Sequence, residues 1–131
     1  MSTLDFLSGE PAALGKLEVR GDVANLEGAI VLSPTRALLL VEGDPRDARD
    51  RLRGQGYRVY DLTAGLADVE VVSERTMRRL TELDLGALPS IGLVARGVTA
   101  LVERLDGERF RLVVPQELAQ YVREVVEDLS Q

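Results

Sequence analysis

The sequence predicts an α/β (α+β) fold, a largely antiparallel sheet with two or three helices packed on one face. Near the C-terminus two alternating apolar runs, VTALVER and RFRLVV, flank Asp106-Gly107. A Gly that tolerates positive φ between such runs is a strong hairpin signal. Earlier, the apolar runs Ala29 to Ser33 and Ala37 to Glu42 flank a Ser-Pro-Thr-Arg stretch in which Pro34 suits the second position of a β-turn, so a second hairpin is predicted. Each hairpin is followed by a helix signal with a proline in its first turn, Pro45 or Pro115. A shift of 72 residues superposes the two patterns, though not the residue identities, and suggests two hairpin-plus-helix modules around a shared sheet.

Taken in order, residues 1 to 14 offer a short helix around Thr3 to Leu7, broken by Gly9 and Pro11. Lys16 to Gly21 alternates as a strand, with Leu17 and Val19 on one side and Lys16, Glu18 and Arg20 on the other. After the first hairpin, Gly43 stops the strand, Asp44 is an N-cap and Pro45 the first helical residue, and the helix runs to about Arg53. Only Ala48 and Leu52 are apolar in it, so most of its surface is solvated. Tyr57 to Leu62 is a strand that completes a strand-helix-strand unit, most simply parallel and right-handed. Asp68 to Val72 is a short strand, Ser73 caps a helix through about Leu83, and Ile91 to Ala95 is another strand.

The register of the last hairpin is open to two arguments. A two-residue loop centred on Asp106-Gly107 sets Arg104 opposite Arg109, which is unfavourable. A three-residue loop with Gly107 as a bulge sets Arg104 opposite Glu108 and Glu103 opposite Arg109, and aligns Val98, Ala100 and Val102 with Val114, Leu112 and Phe110. The bulged loop is therefore expected. The other face, with Thr99, Leu101, Glu103, Arg109 and Arg111, reads as half-wet. In the helix that follows, Leu118, Val122, Val125 and Leu129 recur at spacings of four, three and four, flanked by Tyr121 and Val126. The stripe reads first as a core face and second as a partner seam.

Composition narrows the chemistry. The chain of 131 residues reads as a single domain spanning 1 to 131, and it contains no Cys and no His. Disulfides, thiolate nucleophiles, His-based triads and nearly every zinc, iron or copper site are excluded, which leaves oxygen-ligand metals. No serine has a neighbouring base to activate it. A formal charge of −6 argues against a general polyanion binder, because sequence-independent nucleic-acid affinity comes from neutralising phosphates. No apolar run approaches a membrane span, and the N-terminus lacks a basic-then-apolar leader, so a cytoplasmic location and no membrane partner are expected.

One stretch carries a possible catalytic pattern, ALLLVEGDPRDARDRL followed by Gly-Tyr-Arg-Val-Tyr. An apolar strand ending in Val-Glu-Gly ahead of an Asp-bearing helix resembles the first motif of Toprim domains in primases, topoisomerases and nucleases. The resemblance implies acid/base chemistry at Glu42 and a later strand ending in Asp-x-Asp that holds magnesium. After YRVYDL the chain offers only Asp68-Val69-Glu70, which opens a strand instead of ending one. The same stretch is similar to the opening of a response-regulator receiver. That family needs adjacent acids and a downstream lysine, whereas Gly43 separates the acids here and no lysine follows Lys16.

The expected function is a non-catalytic protein–protein interaction domain: a small acidic homodimer serving as adaptor, chaperone or regulator, with self-association and a protein partner. In outline it is similar to type III secretion chaperones. No catalytic residue, metal ligand or cofactor is assigned, and the interface candidates are Leu101, Leu118, Tyr121, Val122, Val125 and Val126. The alternative is a Toprim-like magnesium-dependent nucleic-acid enzyme or pseudo-enzyme using Glu42.

Overall fold

The computed structural model describes residues 14–131; the helix expected at Thr3 to Leu7 lies outside them. The first half of the chain builds one antiparallel sheet from β1 (Gly15–Arg20), β2 (Ile30–Ser33), β3 (Arg36–Val41) and β4 (Arg58–Asp61), with α1 (Pro45–Gly54) between the last two. The second half builds another from β5 (Leu66–Val71), β6 (Ser90–Val94), β7 (Val98–Asp106) and β8 (Arg109–Pro115). Helices α2 (Glu74–Leu80) and α3 (Ala119–Leu129) belong to this half. The spatial orders are β2-β3-β1-β4 and β5-β8-β7-β6.

Among the described residues the fold is thus α+β, antiparallel and three-helical, as expected, but it has two sheets in place of one. Helix α1 covers the outer face of the first sheet, where Leu17, Val19, Ala37 and Val59 pack under Ala48 and Leu52. Helices α2 and α3 cover the outer face of the second, where Val69, Val71, Phe110, Leu112, Val114 and Val102 pack under Met77, Leu80, Ala119 and Val122. The inner faces of the two sheets meet each other. The layering is helix, sheet, sheet, helix, which differs from helices on one face because each sheet buries both of its sides.

Local chemistry explains the element ends. Asp44 accepts the Arg46 backbone N–H at 2.9 Å and Pro45 opens α1, as the sequence indicates. Ser73 accepts from the Thr76 N–H and caps α2. That helix stops at Leu80, short of the expected Leu83, because Thr81 turns to β6: its Oγ1 donates to Leu93 O and Ala95 N donates to Leu80 O. Pro115 ends β8, and a single turn of 3₁₀ helix over Gln116–Leu118 precedes α3. Strands β3 and β4 both run antiparallel to β1, which lies between them, so the strand-helix-strand unit is parallel but split.

The β7–β8 hairpin is bulged, but its register differs by two residues from the expected one. Glu103 faces Arg111, Arg104 faces Phe110, and Asp106 faces Arg109, with the irregularity at Leu105 and the turn at Gly107-Glu108. A shift of two preserves which side chains face the core, so the apolar pattern could not separate the two registers. The charge pattern is satisfied equally well. Arg111 donates to Glu103 at 2.6 Å, Arg109 to Asp106 at 3.0 Å, and the Arg104 guanidinium lies 4.7 Å from the Phe110 ring centre.

The β6–β7 connection is a further hairpin, where the sequence predicts only a strand over Ile91 to Ala95 ahead of Gly97. Val94 faces Val98 and the turn between them holds Ala95 at φ 50 and Arg96 at φ 67, with Gly97 N donating to Val94 O. The left-handed region costs a non-glycine residue about 1–2 kcal/mol. The Tyr121 hydroxyl on α3 donates to Ala95 O at 3.1 Å and ties the turn to the helix. Arg96 is exposed, so Arg96→Gly removes the steric cost without losing packing and gains unfolded-state entropy in exchange. The expected result in urea unfolding is a stabilisation of roughly 0.5–1 kcal/mol; a clear destabilisation would contradict this account of the turn.

Candidate protein interface

The layer between the sheets defines the site. At its centre Leu38 of β3 packs against Leu101 of β7 and Val113 of β8, with Ile30, Leu32, Leu40 and Leu66 around them. Residues paired across neighbouring strands share a face, so Leu101 carries Ile91 of β6 onto the same inner side, and Thr99 carries Leu93. There the cover ends. Ile91 is 50% exposed and Leu93 61%, while Leu101 one strand away is 5% exposed.

The result is an apolar ledge along an edge strand. Half-buried Ile30 and Leu32 of β2, itself the edge strand of the first sheet, belong to the same inner cluster. On the opposite face of β6, Gly92 lies under Leu83, and an added Cβ there would meet Leu83 Cδ2 at 2.5 Å. The β6 backbone is thereby held close to the segment that follows α2.

Toward the other edges the inner layer becomes polar. Lys16, the single lysine of the chain, has a wholly buried side chain. Its ammonium donates to Leu14 O at 2.7 Å and to Asp68 Oδ2 at 3.2 Å. Asp68 Oδ2 also accepts from Leu14 N, while its buried Oδ1 has no partner among the described residues. The Lys16 backbone N–H donates to Thr63 Oγ1 in the link between the halves. Further along β1, Glu18 accepts from Arg20 at 2.7 Å and Arg36 at 2.9 Å. Burial alone would push the Glu18 carboxyl up, but these two guanidinium hydrogen bonds and their charges outweigh it and hold the group below the usual range.

The expected interface residues separate into three groups. Leu101 and Val122 are buried inside the chain, one between the sheets and the other on the core side of α3. Val125 and Val126 are half-buried against the second core. Leu118 and Tyr121 are exposed, and Tyr121 uses its hydroxyl on the β6–β7 turn. The stripe on α3 is therefore mostly a core face. Ile91, Leu93 and Lys16 were missed. The alternation at Ile91-Gly-Leu93 was visible, but which side of β6 would stay uncovered depends on where the first sheet stops.

Glu42 lies just past β3, beside a hollow that Asp44, Asp47 and Arg51 also line. Asp44 is already committed, accepting the Arg46 guanidinium through both oxygens, which lowers its pKa. Among the described residues no group of three or more acidic side chains is placed to hold a metal ion. No described helix is long and apolar enough to cross a membrane.

No protein-family model matches the chain, and no curated protein matches it. Among solved structures it is similar to a chain of the heterotetrameric sarcosine oxidase from Corynebacterium sp. U-96, a structure determined in complex with pyrrole 2-carboxylate. The TM-score is 0.73 at 17% identity, covering 92% of this chain and 80% of that one. A likeness at that identity shows the shared fold alone.

Removing one partner of a buried ion pair costs about 3–5 kcal/mol, and Asp68 keeps a fifth of its side chain exposed, so Lys16→Met is expected near the lower end. Adding Asp68→Leu should recover most of that loss in urea unfolding; a Lys16→Met cost near zero would mean the pair is solvated. For Glu18 the folded pKa lies below the unfolded one, so its stabilisation is present above the unfolded pKa of about 4.3. It is lost as pH falls through the folded value. Thermal melts from pH 7 to pH 3 should show a shallower acid decline in Glu18→Gln than in wild type, and parallel declines would remove Glu18 from the account.

Proposed function

We propose that the chain is a non-catalytic protein–protein interaction domain, an acidic adaptor, chaperone or regulator, that binds a protein partner along the β6 ledge. The observation carrying this reading is the exposure of Ile91 and Leu93 beside an inner cluster whose other apolar members are buried or half-buried. Contiguous uncovered apolar surface on a sheet edge disfavours the isolated state and is relieved by a covering partner. The outer edge of β6 is already taken near its end, where Thr81 bridges Val94, so the partner covers the ledge face-on, with apolar side chains laid over Ile91 and Leu93. The absence of His and Cys from the sequence leaves few groups for nucleophilic or acid/base work.

The test uses a photoactivatable residue at Leu93 in cells. One discrete adduct of higher mass is expected, lost when Ile91→Asp is added, whereas the same residue at exposed Gln55 gives none. Ile91 is already half exposed, so Ile91→Asp is expected to cost about 1 kcal/mol and to leave the chain folded. Equal labelling at both positions, or none at either, counts against the ledge.

A further inference from the structure

The helical layer over the second sheet carries opposite charges on its two helices. The outward side of α2 presents Arg75, Arg78 and Arg79, all exposed, around a hollow bordered by Glu74 and Glu108. The outward side of α3 presents Glu124, Glu127 and Asp128, with Glu117 just before the helix and Arg123 as its one cation. The two helices lie side by side: Arg79 Nη1 donates to Leu129 O at 3.1 Å, and the Thr76 and Ser130 hydroxyls are 3.4 Å apart. Arg78 shares the Glu74 carboxylate with Arg104, and Arg75 makes no ion pair among the described residues.

A surface with a basic half beside an acidic half selects its partner. A purely acidic peptide drawn to α2 meets the carboxylates of α3, and a purely basic one drawn to α3 meets the arginines of α2. The fitting partner carries both signs at the same separation. A second copy rotated by 180° about an axis through this layer supplies them by symmetry, setting α2 on the acidic α3 of the other copy twice over. We propose that the α2–α3 layer is a homodimer interface of this kind, chosen by reciprocal charge pairing. It stands apart from the ledge, which lies on the inner face at the edge of the same sheet.

Charge exchange provides the test, read by sedimentation at low ionic strength, where exposed charges are least screened. Wild type is expected to be dimeric. The variant Arg75→Glu/Arg78→Glu has two acidic helices and the variant Glu124→Arg/Glu127→Arg two basic ones, so each alone meets itself with like charges and should dissociate. The expected weakening is about ten-fold or more. An equimolar mixture should dimerise again, because both contacts become opposite in sign. The lighter pair Arg75→Glu and Glu127→Arg leaves the Arg78–Glu74 bridge intact and serves if a double variant fails to fold. A monomeric wild type at high micromolar concentration, a dimer indifferent to both reversals, or a mixture that stays monomeric overturns the proposal. Ile91→Asp/Leu93→Asp should remain dimeric, so failure of the ledge and failure of this interface are read separately.

Discussion

The constraint on which the rest depends is that each sheet must bury both faces. A twisted antiparallel sheet of four strands with one amphipathic helix on it leaves the other face open, and in this chain the open faces are of mixed character. The solution is to press them together, with Leu38, Leu101 and Val113 supplying a dry centre and Lys16 and Asp68 a paired, desolvated contact toward one side. The dry part contributes in proportion to the apolar area it hides. The paired part contributes little net stability, since desolvating two charges offsets most of their attraction, but it penalises any docking that leaves either charge unpaired.

Much of this was legible in the residues. Both hairpins, the cap at Asp44, the cap at Ser73 and the amphipathic α3 followed from local chemistry, which acts within a few residues and needs no knowledge of the fold. The two hairpin-plus-helix modules correspond to real counterparts. In each half the second hairpin strand, β3 or β8, pairs with a strand that precedes the hairpin, β1 or β5, and a helix follows. What local pattern could not supply was the number of sheets. A strand such as KLEVR reads as one buried and one wet face, yet Lys16 and Glu18 are both buried, and Lys16 reaches across to Asp68 of the other sheet. Leu101 was read as half-wet for the same reason.

The candidate site was less legible because it is defined by where covering stops. Ile91 and Leu93 are ordinary strand residues, and nothing adjacent in sequence distinguishes them from buried Leu101. Their exposure is a property of the offset between two sheets. The β7–β8 register shows a related limit: pairings two residues apart keep every side chain on its face and offer comparable ion pairs, so only the assembled hairpin distinguishes them.

The division of strands between halves also sets an order of assembly. Every strand pairing of the first sheet joins residues within 15–61, and every pairing of the second lies within 66–131. As the chain emerges from a ribosome, the first sheet and α1 have all their hydrogen-bonding strands before the second sheet exists. Lys16 does not share this independence, because its carboxylate is 52 residues away in the other half. Until β5 arrives, its ammonium has no acidic partner there and keeps its water, and the Leu38 side of the nascent sheet stays open to whatever apolar surface is near. The interval between completing one half and docking the other is when a nascent chain of this fold most needs shielding.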